Sequence, residues 1–166
     1  MIICDTNILS TFARVGVLKL LFKLFPKQEF FIPKAVYEEI MEAIRHGAAF
    51  LHSVLALVDS GQIHLLTLTF EEARDKTTLP QSFGSGELEG VIICARRSSI
   101  LLTNDKRVRN YCQEHGIEVY DLVLLLRTLW RKKVVSRKVV QKIVNDIERL
   151  ERLVFKNKSD IFRKYL

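Results

Sequence analysis

Four carboxylates stand where apolar runs end or helical patterns begin, and a fifth lies within a helical pattern. Asp5 closes an apolar run at the N-terminus, and Glu39 lies inside a helical pattern. Glu87 and Glu89 open another helix, and Asp105 closes a second apolar run. Acids scattered along a chain and gathered at one edge of a parallel sheet are how proteins hold Mg²⁺ or Mn²⁺ for phosphodiester hydrolysis. A carboxylate directly after a buried strand is costly without compensation, and a divalent cation supplies it.

Each acid also has a structural use. Asp5, with Thr6 and Asn7 as rivals, and Asp105 in TNDKR both suit helix caps. Glu38 and Glu39 are neighbours on one helix, and Glu39, three residues past Val36, is better placed to face inward. Glu87 and Glu89 suit a helix start through the macrodipole. Being two apart, they point to different sides, so the spacing leaves open which of them is a ligand.

The elements that must position these acids alternate along the chain. Residues 1–4 read as a short strand, and residues 7–24 show helical apolar spacing that Gly16 divides in two. EFFI at 29–32 is a second strand, closed by Pro33 in the first turn of a helix running to about Gly47. A helix at 48–58, a strand IHLLTL after Gly61, and a polar stretch from Phe70 to Phe83 without clear pattern follow. Ser85 is a candidate cap for a helix from Gly86 to about Arg96. ILLT at 100–103, a helix at 106–114, the strand IEVY at 117–120 and a helix at 121–132 complete the alternation. Apolar strands alternating with helices predict a three-layer α/β/α fold around a parallel sheet. Beyond Lys133 a long amphipathic helix is expected to pack back on the body, with a last short helix in SDIFRKYL.

The chain of 166 residues fits one domain, with a core at 1–121 and a basic helical extension at 122–166. Its net charge of +7 is unevenly divided: residues 1–125 carry 13 Lys and Arg against 15 Asp and Glu, whereas residues 126–166 carry 13 against 4. A cationic segment beside an acidic site suits a polyanion, although a solvated helix face has the same composition. Lys106, Arg107 and Arg109 follow Asp105 directly, and Arg131, Lys132 and Lys133 begin the extension; these are the candidate phosphate-binding residues. Cys4, Cys94 and Cys112 form no paired spacing and read as reduced thiols. Neither a membrane-length apolar run nor a leader is evident, so a cytoplasmic protein without membrane contact is expected.

Four motifs together resemble the PIN-domain nucleases, which include the toxins of prokaryotic toxin–antitoxin pairs of the VapBC type. These are the strand running into Asp5-Thr6-Asn7, IPKAVYEEI with Glu39, GELEGVIICA, and LLTNDKRVR with Asp105. The resemblance covers residues 1–121 and implies that Asp5, Glu39, Glu89 or Glu87, and Asp105 bind Mg²⁺ or Mn²⁺. It implies that Thr6, Asn7 and Thr103 orient them, and that alignment of EGVIICA favours Glu89 over Glu87. The implied activity is metal-dependent cleavage of RNA, with a homodimer and an antitoxin protein as partners. Many family members have an Asp where this chain has a glutamate pair. The long extension resembles a less compact branch than the toxins.

Other chemistries fit poorly. GSGELEG has the wrong spacing for a dinucleotide loop, and its glutamates would repel a pyrophosphate. His46, His52, His64 and His115 make no zinc motif. The competing class is a non-catalytic module of the same fold that binds RNA or protein; a polyanion-binding module gains nothing from five clustered acids.

Overall fold

The computed structural model of the chain describes residues 1–156 and 158–163. Its strands are β1 (Ile2–Cys4), β2 (Phe30–Pro33), β3 (Ile63–Leu66), β4 (Ile100–Leu102) and β5 (Val119–Tyr120). They form one all-parallel sheet in the order β3-β2-β1-β4-β5. The connections run outward in one direction from β1 through β2 to β3, and in the other from β4 to β5. The reversal falls between the neighbours β1 and β4, where open α/β sheets leave a crevice at their carboxyl edge.

Around the sheet lie α1 (Thr6–Arg14), α2 (Lys19–Leu24), α3 (Lys34–Arg45), α4 (His52–Asp59) and α5 (Phe70–Arg74). They are followed by α6 (Ser85–Arg97), α7 (Lys106–Glu114), α8 (Leu122–Arg131), α9 (Arg137–Glu151) and α10 (Lys158–Phe162). Strand alternation divides the apolar side chains between two faces. Ile2, Cys4, Ile32 and Leu102 pack with α1, α3, α4, α8 and α9, whereas Ile3 and Leu101 pack with α6 and α7. The architecture is therefore three-layer α/β/α. No described helix is long and apolar enough to cross a membrane.

Local chemistry sets the boundaries. Gly16, at φ +71°, ends α1 and turns the chain into α2, a conformation that glycine adopts without a Cβ penalty. Pro33 ends β2 and sits at the N-cap of α3, one position earlier than the expected first turn. Ser85 is not the cap of α6: Gly84 is, because the Glu87 carboxylate reaches back to accept its N–H at 2.8 Å. The stretch at 70–83, polar and without period, forms α5 and a 3₁₀ turn (Asp75–Thr78). Thr69 and Glu72 make a reciprocal capping box there.

Most strand expectations ran a residue or two too long, β3 and β5 by two each, and β2 is shifted by one residue from 29–32 to 30–33. Helix α9 does pack back on the body, burying Val140, Ile143, Val144 and Ile147. Of the expected last helix, α10 forms the first part, and residues 164–166 lie outside the described residues.

Candidate active site

Strand β1 delivers Asp5 to the carboxyl edge, and the chain turns there into α1. The Asp5 side chain is 5% exposed and accepts from the Thr6 N–H at 2.7 Å and from Thr103 Oγ1 at 2.8 Å. Thr103, just past β4, is a bridge: its hydroxyl donates to Asp5 and accepts from the backbone N–H of Asp105 at 3.2 Å. Asn7 accepts the Asn104 N–H at 3.0 Å, a second tie between the ends of β1 and β4. A hundred residues of sequence separation thus collapse into two hydrogen-bonded loops.

Glu39 enters from α3, half-buried, while Glu38 turns outward to Lys34 at 3.5 Å. The Thr6 hydroxyl donates to Glu39 Oε2, and Gly86 N–H donates to Glu39 Oε1 at 3.1 Å. The absence of a side chain at Gly86 is required: a Cβ would lie 2.8 Å from Glu39 Oε1 and 2.9 Å from Val36 Cγ2. Helix α6 therefore starts as close to Glu39 as a backbone can.

The glutamate pair separates into two environments. Glu87 lines a small pocket with Asp5, Thr103, Cys4, Gly86, Gly90, Leu101 and Val108. Glu89 is absent from that pocket; it is buried, accepts the Ala35 N–H at the start of α3 at 3.0 Å, and pairs with Lys76 Nζ at 2.8 Å. Asp105 caps α7, accepting from Arg107 N at 2.7 Å and Val108 N at 3.0 Å. The Arg107 guanidinium lies 3.4 Å from Asp105 and 3.9 Å from Glu87, and donates to the Ser82 carbonyl at 3.0 Å.

The electrostatics follow from this placement. Burial pushes the Asp5 carboxyl up to about 6, bonds from Thr103 and Thr6 oppose the shift, and the neighbouring charges of Glu87 and Glu39 add to it. At Asp105 burial acts upward too, but the N–H of Val108 and the side chain and N–H of Arg107 prevail and hold its carboxyl below the usual range.

Among the described residues, no three His, Cys, Asp or Glu side chains converge into a ready-made metal cage. The donor set nonetheless fits a hard divalent cation. Asp5, Glu39, Glu87 and Asp105 offer carboxylate oxygens, with hydroxyls and backbone N–H groups orienting them. Crowded acids that raise one another's proton affinity gain most from a cation.

The remaining candidates are dispersed. Lys106 is exposed at the start of α7, while Arg109 is tied to Asp121 at 2.5 Å. Arg131, Lys132 and Lys133 sit at the end of α8, about 15 Å along the helix from Asp121, by the rise per residue. Lys76, Ser82 and Gly86 were missed by the sequence reading. The first two lie in the stretch without periodicity, and only the glycine-rich start of α6 hinted at a close approach.

Neither the curated proteins nor the solved structures provide a match to the chain. A family model described as a PIN domain does match, over residues 1–162, and so takes in α8 and α9 as well as the sheet and its acids. With an all-parallel sheet in three layers and its acids at the switch between β1 and β4, the chain belongs to the PIN-domain family.

Proposed function

We propose that the protein is a ribonuclease that depends on Mg²⁺ or Mn²⁺, using Asp5, Glu39, Glu87 and Asp105. PIN domains are nucleases in general and typically use divalent metals. The observation that carries the finer reading is the Asp5 carboxyl, buried at the crevice with Glu39 and Glu87 close enough to raise its proton affinity. Such an arrangement is a liability to an apo protein and an asset to one that binds a cation.

In this reading Glu87, which shares the Asp5 pocket, is the third ligand, and Glu89 is a positioning residue that fixes the start of α3 beneath Glu39. When bound, the metal supplies a more acidic water and neutralises charge on the phosphodiester and its leaving oxygen. The chain's own groups do the positioning. Thr103 holds Asp5 and the Asp105 backbone in one register, and Thr6 and Gly86 clamp both oxygens of Glu39. Glu87, which accepts the Gly84 N–H, would hold the metal in place of that bond. Exposed Lys106 is free to meet a neighbouring phosphate. No protein nucleophile is needed, and the products expected are a 5′-phosphate and a 3′-hydroxyl.

Calorimetric titration of Mn²⁺ into the wild type and Asp5→Asn tests the site without knowledge of the RNA. Binding to the wild type that disappears in the variant, with EDTA-reversible cleavage of RNA, is the expected result. A wild type that binds no Mn²⁺ would overturn it in favour of a non-catalytic module. The toxin reading adds an antitoxin partner and a homodimer, which co-purification of the neighbouring gene product and sedimentation would test.

A further inference from the structure

A concentration of positive charge lies away from the acids. Lys19 and Lys23 on α2, Lys132 and Lys133 at the end of α8, and Lys138 and Lys142 on α9 are all exposed. They belong to one flank. Lys19 and Lys142 rim the same open groove of about 360 Å³, floored by Val17, Leu20, Val135 and Val139, and Lys132 Nζ lies 5.8 Å from the ring of Phe25, just after α2.

Among the described residues, none of these six is ion-paired; single cations elsewhere, such as Lys27, Arg74 and Lys106, are also without an ion pair, whereas Lys76 pairs with Glu89, Arg96 with Asp75, Arg97 with Glu72 and Arg109 with Asp121. Lys19 with Lys23, and Lys138 with Lys142, are like charges four apart on a helix, a spacing that costs a few tenths of a kcal/mol each. Of the acids, Asp146 lines the groove and pairs with Arg149, and Glu118 interacts with Tyr120, whose ring packs on Phe25. A surface of uncompensated like charges is electrostatically complementary to an anion from outside.

Two helices measure the distance from the crevice. Helix α1 is capped by Asp5 and ends beside the groove at Val15, ten residues or about 15 Å on, and α8 carries the chain from Asp121 to Lys132 over about 16 Å. We propose that the α2, α8 and α9 flank is a second contact surface for the phosphate backbone of a nucleic acid, remote from the acids. It adds a contact that strands too short to reach beyond the crevice cannot make. Lysine, a point charge without fork geometry, and the lack, among the described residues, of an exposed aromatic on this flank favour sequence-independent backbone contact over base stacking. The proposal rests on the ribonuclease reading only for the identity of the strand.

The test is fluorescence anisotropy with a labelled 20-nucleotide oligouridylate in EDTA, across a salt series. It compares the wild type, Lys23→Glu/Lys132→Glu/Lys138→Glu, and a control of equal net charge, Arg45→Glu/Arg74→Glu/Lys156→Glu. The patch variant should bind at least tenfold more weakly, with its log–log salt slope smaller by about 2, as three lost phosphate contacts require for a single strand. The control should stay within twofold of the wild type. Equal weakening by both variants would overturn the proposal, leaving only overall charge. So would a wild type that ignores the oligonucleotide but binds phosphatidylserine vesicles through the same lysines. Asp5→Asn separates the two claims: it should bind the strand as the wild type does even where Mn²⁺ binding is lost.

Discussion

At the scale of single residues, the two members of the glutamate pair divide the work. Glu87→Gln should weaken Mn²⁺ binding at least tenfold in calorimetry while leaving the melting temperature nearly unchanged. Glu89→Gln should do the reverse, costing about 1–2 kcal/mol of stability, because a buried N–H of Ala35 and the Lys76 ammonium lose a charged acceptor. The sequence marked both glutamates but not their roles. Two residues apart on a helix, they are separated by more than half a turn, and which one faces Asp5 depends on how α6 packs against α3, a tertiary contact. Asp5 itself was legible, since few acids follow so apolar a run. In metal-free protein its carboxyl titrates near 6 in the fold against about 3.8 in the unfolded chain. The native state therefore holds the extra proton between those values, and stability falls as pH rises through them. Urea melts in EDTA from pH 4 to pH 7 should show this decline in the wild type and its absence in Asp5→Asn.

At the scale of elements, the contact between α3 and α6 is what brings Glu39 to the edge, and Gly86 sets how close the two helices come. Gly86→Ala would press a methyl against the Glu39 carboxylate and Val36. It should cost about 1–3 kcal/mol and lower Mn²⁺ affinity by shifting Glu39, both readable by melting and calorimetry. The strap at 70–84 was illegible for a different reason. Short turns with no apolar period are held there by distant partners: Arg97 makes a bidentate pair with Glu72, Arg96 with Asp75, and Lys76 reaches Glu89. Local pattern carries no trace of such pairs. Bonds from Arg97 and the backbone of Thr69 hold the buried Glu72 carboxyl down at about 2, against the opposing effect of burial. This contribution, on the order of 3 kcal/mol, is complete above pH 4.5 and is lost as pH falls toward 2. Acid titration followed by circular dichroism should show Glu72→Gln less stable than the wild type at pH 6, with the gap closing near pH 2.

At the scale of the molecule, the C-terminal helices share a single core with the sheet. Helix α9 places Val140, Ile143, Val144 and Ile147 in the same cluster as Ile2 and Cys4. Ile147→Ala should therefore destabilise the whole chain by about 2–5 kcal/mol in one cooperative melt, rather than loosening a tail. The sequence showed the amphipathic period of α9 and the excess of basic residues after residue 125, but not their location. Charge reads from composition, whereas position depends on which edge α8 runs toward. The three thiols have a consequence of their own. Cys4 lies in the sheet, Cys94 in α6 and Cys112 in α7, all buried and unbridged, and burial raises each thiol well above its ordinary value, Cys112 to about 11. They are unreactive while the layers stay closed. One thiol thus marks the sheet and two mark the layer of α6 and α7: the order in which an alkylating reagent modifies the three sites under mild denaturant would report whether that layer parts before the sheet itself opens.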